Sequence, residues 1–194
     1  MRRVLLLLLL AVALPATTWA KGTIDLANRG GTIIGSNAGL QLTGSVLFAY
    51  GSVVGTDLGT VSFTTGAFMT GTPAMGGTLA PGGTFTITGN GSNGVPNGTI
   101  FSGTFSSSSP VTWNVITLAD GSHQYTLTGA IEGNGKVGAT VQLAVISGKG
   151  LFSGTADLSS GDTSLSVPEP GTLGLLGTGL LGMGGLMRRR LRIG

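Results

Sequence analysis

No cysteine occurs in the 194 residues. Disulfide frameworks and thiolate metal sites are therefore excluded, and stability in an oxidising space has to come from the core alone. Charged residues make up only 9% of the chain, and His123 is the single histidine. One histidine cannot build a His-rich zinc set, and the acids stand singly, with no Asp-x-Asp-x-Asp calcium loop. The glycines follow no phosphate-cradling pattern. The sequence thus leads us to expect no metal, no cofactor and no catalytic residues, and the protein is read as not being an enzyme.

What is abundant is glycine, 37 residues, together with Thr and Ser. The body reads as short β-branched runs between turn residues, unlike charge-rich disorder. The formal charge of +3 is misleading. Residues 21–170 carry four bases against seven acids, a balance of −3. The basic excess sits at the two ends, so no basic face is expected on the folded domain and no nucleic-acid partner.

The first segment has the anatomy of an export signal. Arg2 and Arg3 precede an unbroken apolar run over 4–14, Pro15 ends it, and Thr18 and Ala20 are the small residues before a cut after Ala20. The run is too short to span a bilayer. It predicts the secretion translocon and signal peptidase as partners, by the general secretory route rather than twin-arginine export.

Between the end segments no helical period appears. Runs at 40–50, 83–88 and 111–118 alternate apolar with polar residues, as half-buried antiparallel strands do. Further strands are expected at 22–26, 59–65, 99–105 and 151–158, with a long turn over 89–98. The fold class expected is all-β, an antiparallel sandwich-like domain of short strands over 21–158. It is flanked by an N-terminal signal helix over 1–20 and a C-terminal single transmembrane helix, with a polar linker at 159–166. For the hairpin of 123–132 with 136–146, apolar residues at odd positions on both sides favour a three-residue loop, Gly133-Asn134-Gly135. That register sets Ile131 against Val137 and Glu132 against Lys136.

Two features of the body invite a chemical reading. Asp120, Ser122 and His123 lie together, but triads are assembled in space from separated segments; the group reads as a turn before a strand. The alternating Thr84, Thr86 and Thr88 could face ice or a glycan, although threonine on the wet face of a strand is also ordinary.

The last 28 residues, 167–194, have three parts in fixed order. Val167, Pro168, Glu169, Pro170 and Gly171 come first. The two prolines fix φ and hold their predecessors extended, giving a stiff peptide that a groove can bind at low ordering cost. Residues 171–187 form an apolar run with seven glycines, about 26 Å long as a helix and so at the short edge of a membrane span. Gly174, Thr178 and Gly182 offer a small-residue face for close packing in lipid. Arg188, Arg189, Arg190 and Arg192 follow as a cytoplasmic stop.

This ordered motif resembles the PEP-CTERM sorting domain of Gram-negative exoproteins. The resemblance covers 167–194 only. It implies a transient inner-membrane anchor through 171–187 and recognition of the Pro-Glu-Pro peptide by exosortase, a membrane-embedded cysteine protease or transpeptidase. Release to the cell surface or the extracellular space follows. Many proteins with this tail are associated with extracellular polysaccharide and biofilm matrix, which makes that polysaccharide a candidate partner. The segment also bears the label of an ice-binding protein C-terminal domain, which does not establish ice binding. The reading is therefore an exported, surface-sorted structural or matrix protein. The alternative is an extracellular binding module for glycans or ice, which a flat row of regularly spaced threonines would favour. A hydrolase, the third possibility, lacks paired carboxylates and a second histidine.

Overall fold

The computed structural model describes residues 22–146 and 150–166. These build twelve strands: β1 (Thr23–Arg29), β2 (Thr32–Ser36), β3 (Gly39–Tyr50), β4 (Val53–Thr64), β5 (Phe68–Thr72), β6 (Gly76–Leu79), β7 (Gly82–Asn90), β8 (Asn97–Phe105), β9 (Val111–Thr117), β10 (His123–Gly133), β11 (Lys136–Ile146) and β12 (Thr155–Ser166). The sole helical turn among the described residues is a short 3-10 segment at Ser92–Gly94, within the long turn expected there. The signal and transmembrane helices expected at the two ends lie outside the described residues.

The antiparallel all-β expectation holds. Every pairing is antiparallel, and all twelve strands belong to one sheet. A sandwich would keep two separate ladders. Here the ladder runs β3–β4–β7–β8–β10–β11–β12 and returns through β1 and β2 to β3. The short strands β1 and β2 share one station, end to end between β3 and β12. Strands β9, β6 and β5 extend from β10 as a flap. The ring is thinnest between β8 and β10, which pair only at Phe105–Ile131 and Thr104–Glu132. Side chains complete that seam: Asn134 Oδ1 accepts the Ser102 N–H at 2.9 Å, and Lys136 Nζ donates to the Ile100 carbonyl at 2.7 Å. Closing a sheet in this way removes most exposed strand edges.

The core has two aromatic clusters. Phe63 and Phe85 stack at 5.8 Å, with Phe105 edge-on to both and Phe101 edge-on to Phe85. Trp113 and Tyr125 stack at 5.2 Å against Phe152. The polar atoms of this second cluster are satisfied, as buried Trp and Tyr require. Trp113 Nε1 donates to the Pro73 carbonyl and the Tyr125 hydroxyl to that of Ala74, both at 2.8 Å, which pins the β5–β6 turn onto the core.

Besides the sandwich, which gives way to a sheet closed on itself, four expectations are corrected. The β10–β11 hairpin has a two-residue loop, with Glu132 paired to Val137 and Gly133 to Lys136. Asn134 and Gly135 both take positive φ, 34° and 68°, the conformation a tight two-residue hairpin turn demands. The predicted Ile131–Val137 register and Glu132–Lys136 pair therefore do not form. The apolar face is indeed split: Tyr125, Leu127 and Ile131 point inward, opposite Ala144, Gln142 and Gly138.

Second, the stretch 159–166 read as a linker is the latter half of β12, paired on one edge with β11 and on the other with β1. Ser160, Asp162, Ser164 and Ser166 alternate with the buried Gly161, Thr163 and Leu165, a pattern the polar composition conceals. Third, the strand expected over 151–158 starts only at Thr155. Fourth, the alternation expected along 40–50, which sets Leu40, Leu42, Val46, Phe48 and Tyr50 on one face, holds only to Leu42. A bulge at Gly44, φ 71°, shifts the register, so Ser45 and Leu47 become the buried residues. Strands β2, β5 and β6 are short and rich in Gly and Thr, and carry little periodic signal in the sequence.

Candidate functional site

The most informative place is where the domain hands over to its tail. Strand β12 is hydrogen-bonded on both edges to its last residue, Ser166, which pairs with Thr23 of β1 and Val137 of β11. The start and the end of the domain thus lie side by side. Residues Val167, Pro168, Glu169, Pro170 and Gly171, the arginines 188, 189, 190 and 192, and Ala20 lie outside the described residues. From Ser166 to the apolar run only Val167–Pro170 intervene. The five steps from Ser166 to Gly171 reach at most about 18 Å fully extended.

Near this exit the ring holds a group of buried polar residues alongside the apolar Leu165, Ile131 and Leu26. Asn28 of β1 donates through Nδ2 to Ser45 Oγ at 2.8 Å and to Gln142 Oε1 at 2.9 Å, and Gln142 Nε2 donates back to Asn28 Oδ1 at 3.2 Å. Gln142 Nε2 also donates to Thr140 Oγ1 at 2.8 Å, and Thr140 shares a 2.9 Å hydroxyl contact with Thr163. All five residues are buried. Such a network is tolerable in low dielectric because its side-chain groups are paired. Gly161 makes room for it: a Cβ there would strike the Gln142 and Asn28 amide oxygens. With polar residues turned inward, β11 turns its valines outward. Val137, Val141 and Val145 are 43%, 43% and 38% exposed.

The outer face of the flap carries the threonines. Cross-strand pairing puts Thr70, Thr78, Thr112 and Thr128 in one row over β5, β6, β9 and β10. Neighbouring strands lie about 4.8 Å apart, and Thr70 and Thr78 share a 2.7 Å hydroxyl contact. Thr84, Thr86 and Thr88 form a second group on β7, opposite Thr64, Ser62 and Thr60 of β4. Periodicity shows the outward threonines within one strand. It cannot show the row across the flap, because β5 and β6 have almost no periodic signal.

The Asp120–His123 group is a turn. The Ser122 hydroxyl and amide both donate to Asp120 Oδ1, at 2.6 and 2.9 Å. These bonds hold the exposed Asp120 carboxyl below its ordinary pKa. The serine hydroxyl is thus directed at the carboxylate rather than at an imidazole, and buried His123 Nδ1 has no hydrogen-bond partner. Among the described residues no three His, Asp or Glu side chains converge as metal ligands would. A shallow depression beside the β2–β3 turn, lined by Ile34, Ser36, Gln41 and Thr65 among others, carries no ionisable side chain.

The domain is therefore an antiparallel β-fold whose closing strand runs directly into a tail. A family model for the PEP-CTERM protein-sorting motif matches residues 166–190, so the chain carries that motif, starting on the last residue of β12. No curated protein and no solved structure matches the chain. Among the described residues no helix is long and apolar enough to cross a membrane, and residues 171–187 lie outside them.

Proposed function

We propose that this chain is an exported structural or matrix β-domain delivered to the cell surface by its C-terminal tail, with no catalytic step of its own. The observation that carries this reading is the sorting motif at 166–190, abutting β12. Export begins with the segment 1–20, cut after Ala20. Residues 171–187 then hold the chain in the inner membrane, with Arg188, Arg189, Arg190 and Arg192 on the cytoplasmic side. Exosortase recognises the stiff Pro168-Glu169-Pro170 peptide. Because β12 is paired up to Ser166, the enzyme works against a folded domain held within about 18 Å of the span's first residue.

Intact-mass and fractionation measurements on the native protein, with and without the exosortase, test this. A shortened surface form that depends on the enzyme is expected. A mature form that still ends at Gly194 in both strains refutes it.

One observation favours a second role for the delivered domain. The row Thr70, Thr78, Thr112 and Thr128 is an uncharged array of hydroxyls and methyls at strand spacing. It suits an uncharged, repetitive partner such as a neutral polysaccharide, or ice. Replacing Thr78 and Thr112 by Lys should abolish sedimentation with the polysaccharide and any ice-growth inhibition. Full retention of both by the variant removes this reading.

A further inference from the structure

Strand β11 has the reverse of β7's arrangement. Its inward positions hold Thr140 and Gln142, while Val137, Val141 and Val145 face solvent. Exposed Ile116 lies on the same face, separated from Val145 by Gln124, which pairs with both. From Val137 to Val145 the valine stripe is eight residue steps, about 27 Å at strand rise.

We propose that this outer face of β11 docks on the surface of a bilayer with zwitterionic headgroups. The proposal rests on the reading of 171–187 as a membrane span. Val137, where the stripe begins, is the hydrogen-bonded neighbour of Ser166, where the chain leaves the domain. A span starting five residues beyond Ser166 keeps the stripe beside the bilayer at an effective concentration of about millimolar, so weak intrinsic affinity suffices. Tilting the domain over its exit lays β11 on the headgroups without breaking a strand pair.

Charge selects the occupant. The neighbours of the stripe include Glu132, opposite Val137, and Asp162, opposite Val141, both exposed. Lys136 turns away, onto the Ile100 carbonyl. A second copy packed face to face would bring these acids together without a base between them. An anionic lipid surface is disfavoured for the same reason. Choline or ethanolamine headgroups present cations that acids on the rim can meet.

The absence of cysteine makes single-cysteine labelling unambiguous. The chain from Lys21 to Gly194 is reconstituted in phosphatidylcholine vesicles containing doxyl-labelled lipid. An environment-sensitive fluorophore is placed at Val141→Cys, at Val145→Cys, or at Ser62→Cys on β4, across the ring. Quenching at the two β11 positions and none at Ser62 is expected, weakening as phosphatidylglycerol is added. Val141→Asn in the Val145→Cys background should lose the quenching with an unchanged circular dichroism spectrum. If the chain resists alkaline extraction but all three probes behave alike, the docking proposal is overturned while the span stands. If alkali extracts the chain, the span reading fails and the proposal with it. Concentration-dependent shielding of Val141 without lipid identifies a second copy as the occupant. Concentration-independent shielding identifies the chain's own tail. Either result overturns the lipid assignment.

Discussion

Strands β7 and β11 sit in the same ring and are built in opposite senses. β7 turns Phe85 and Ile87 inward and Thr84, Thr86 and Thr88 outward. β11 turns Thr140 and Gln142 inward and its valines outward. Both alternate cleanly, so alternation alone does not say which face is the core. Around β7 the neighbours are Phe63, Phe101 and Phe105, and the interior is held by apolar burial. Around β11 they are Asn28, Ser45 and Thr163, and a closed hydrogen-bond network takes that place. One side of the ring is specified by volume and the other by donor–acceptor pairing.

Substitutions separate these two regimes. Phe85→Ala, which empties the centre of the phenylalanine cluster, should cost about 3–5 kcal/mol in denaturant unfolding. A loss below about 1 kcal/mol would mean that the cluster collapses onto the gap. On the polar side, Gln142→Leu leaves Asn28 short of a partner and should cost about 1–3 kcal/mol. Asn28→Leu combined with Gln142→Leu should recover part of that loss, because neither unpaired amide remains. A double variant as unstable as the sum of the single ones would deny that the two amides act as a pair.

On the outer face of β11, Val141→Thr should shift stability by no more than about 0.5 kcal/mol. A core-sized loss there would place Val141 in packing rather than on a surface. The smallest effect concerns Asp120. Its pKa is lowered by the Ser122 hydroxyl and amide. Its contribution is therefore present above the ordinary carboxylate pKa and lost as pH falls through the folded-state value. Asp120→Asn should flatten the acid side of the stability–pH curve. An unchanged acid limb would show that the Ser122 contacts carry no pH-linked stability.

Much of the fold is legible in the sequence where burial is apolar. The runs that became β3, β7, β8, β9, β10 and β11 are readable because Phe, Ile, Leu, Val and Trp recur at period two. The failures fall where the interior is polar or the backbone irregular. Counting apolar residues on β10 and β11 favours a three-residue loop, because nothing local reveals that Gln142 will meet Asn28, 114 positions away. The same blindness makes the latter half of β12 read as a linker, since a run of Ser, Thr, Asp and Gly resembles a spacer until its partners on both edges are known. The sorting motif is readable because its information is local and ordered. The threonine row is not, because it exists only across strands.

The double pairing of β12 also bears on load. Once the tail is fixed to a surface, tension enters the domain at Ser166 and runs along the axis of β12. The hydrogen bonds to β1 and β11 lie across that axis on both sides. They are then sheared together rather than peeled one at a time, and the lifetime of the attachment is governed by the unfolding rate rather than by equilibrium stability. Under a load applied through the tail, the closing strand would act as the domain's mechanical clamp.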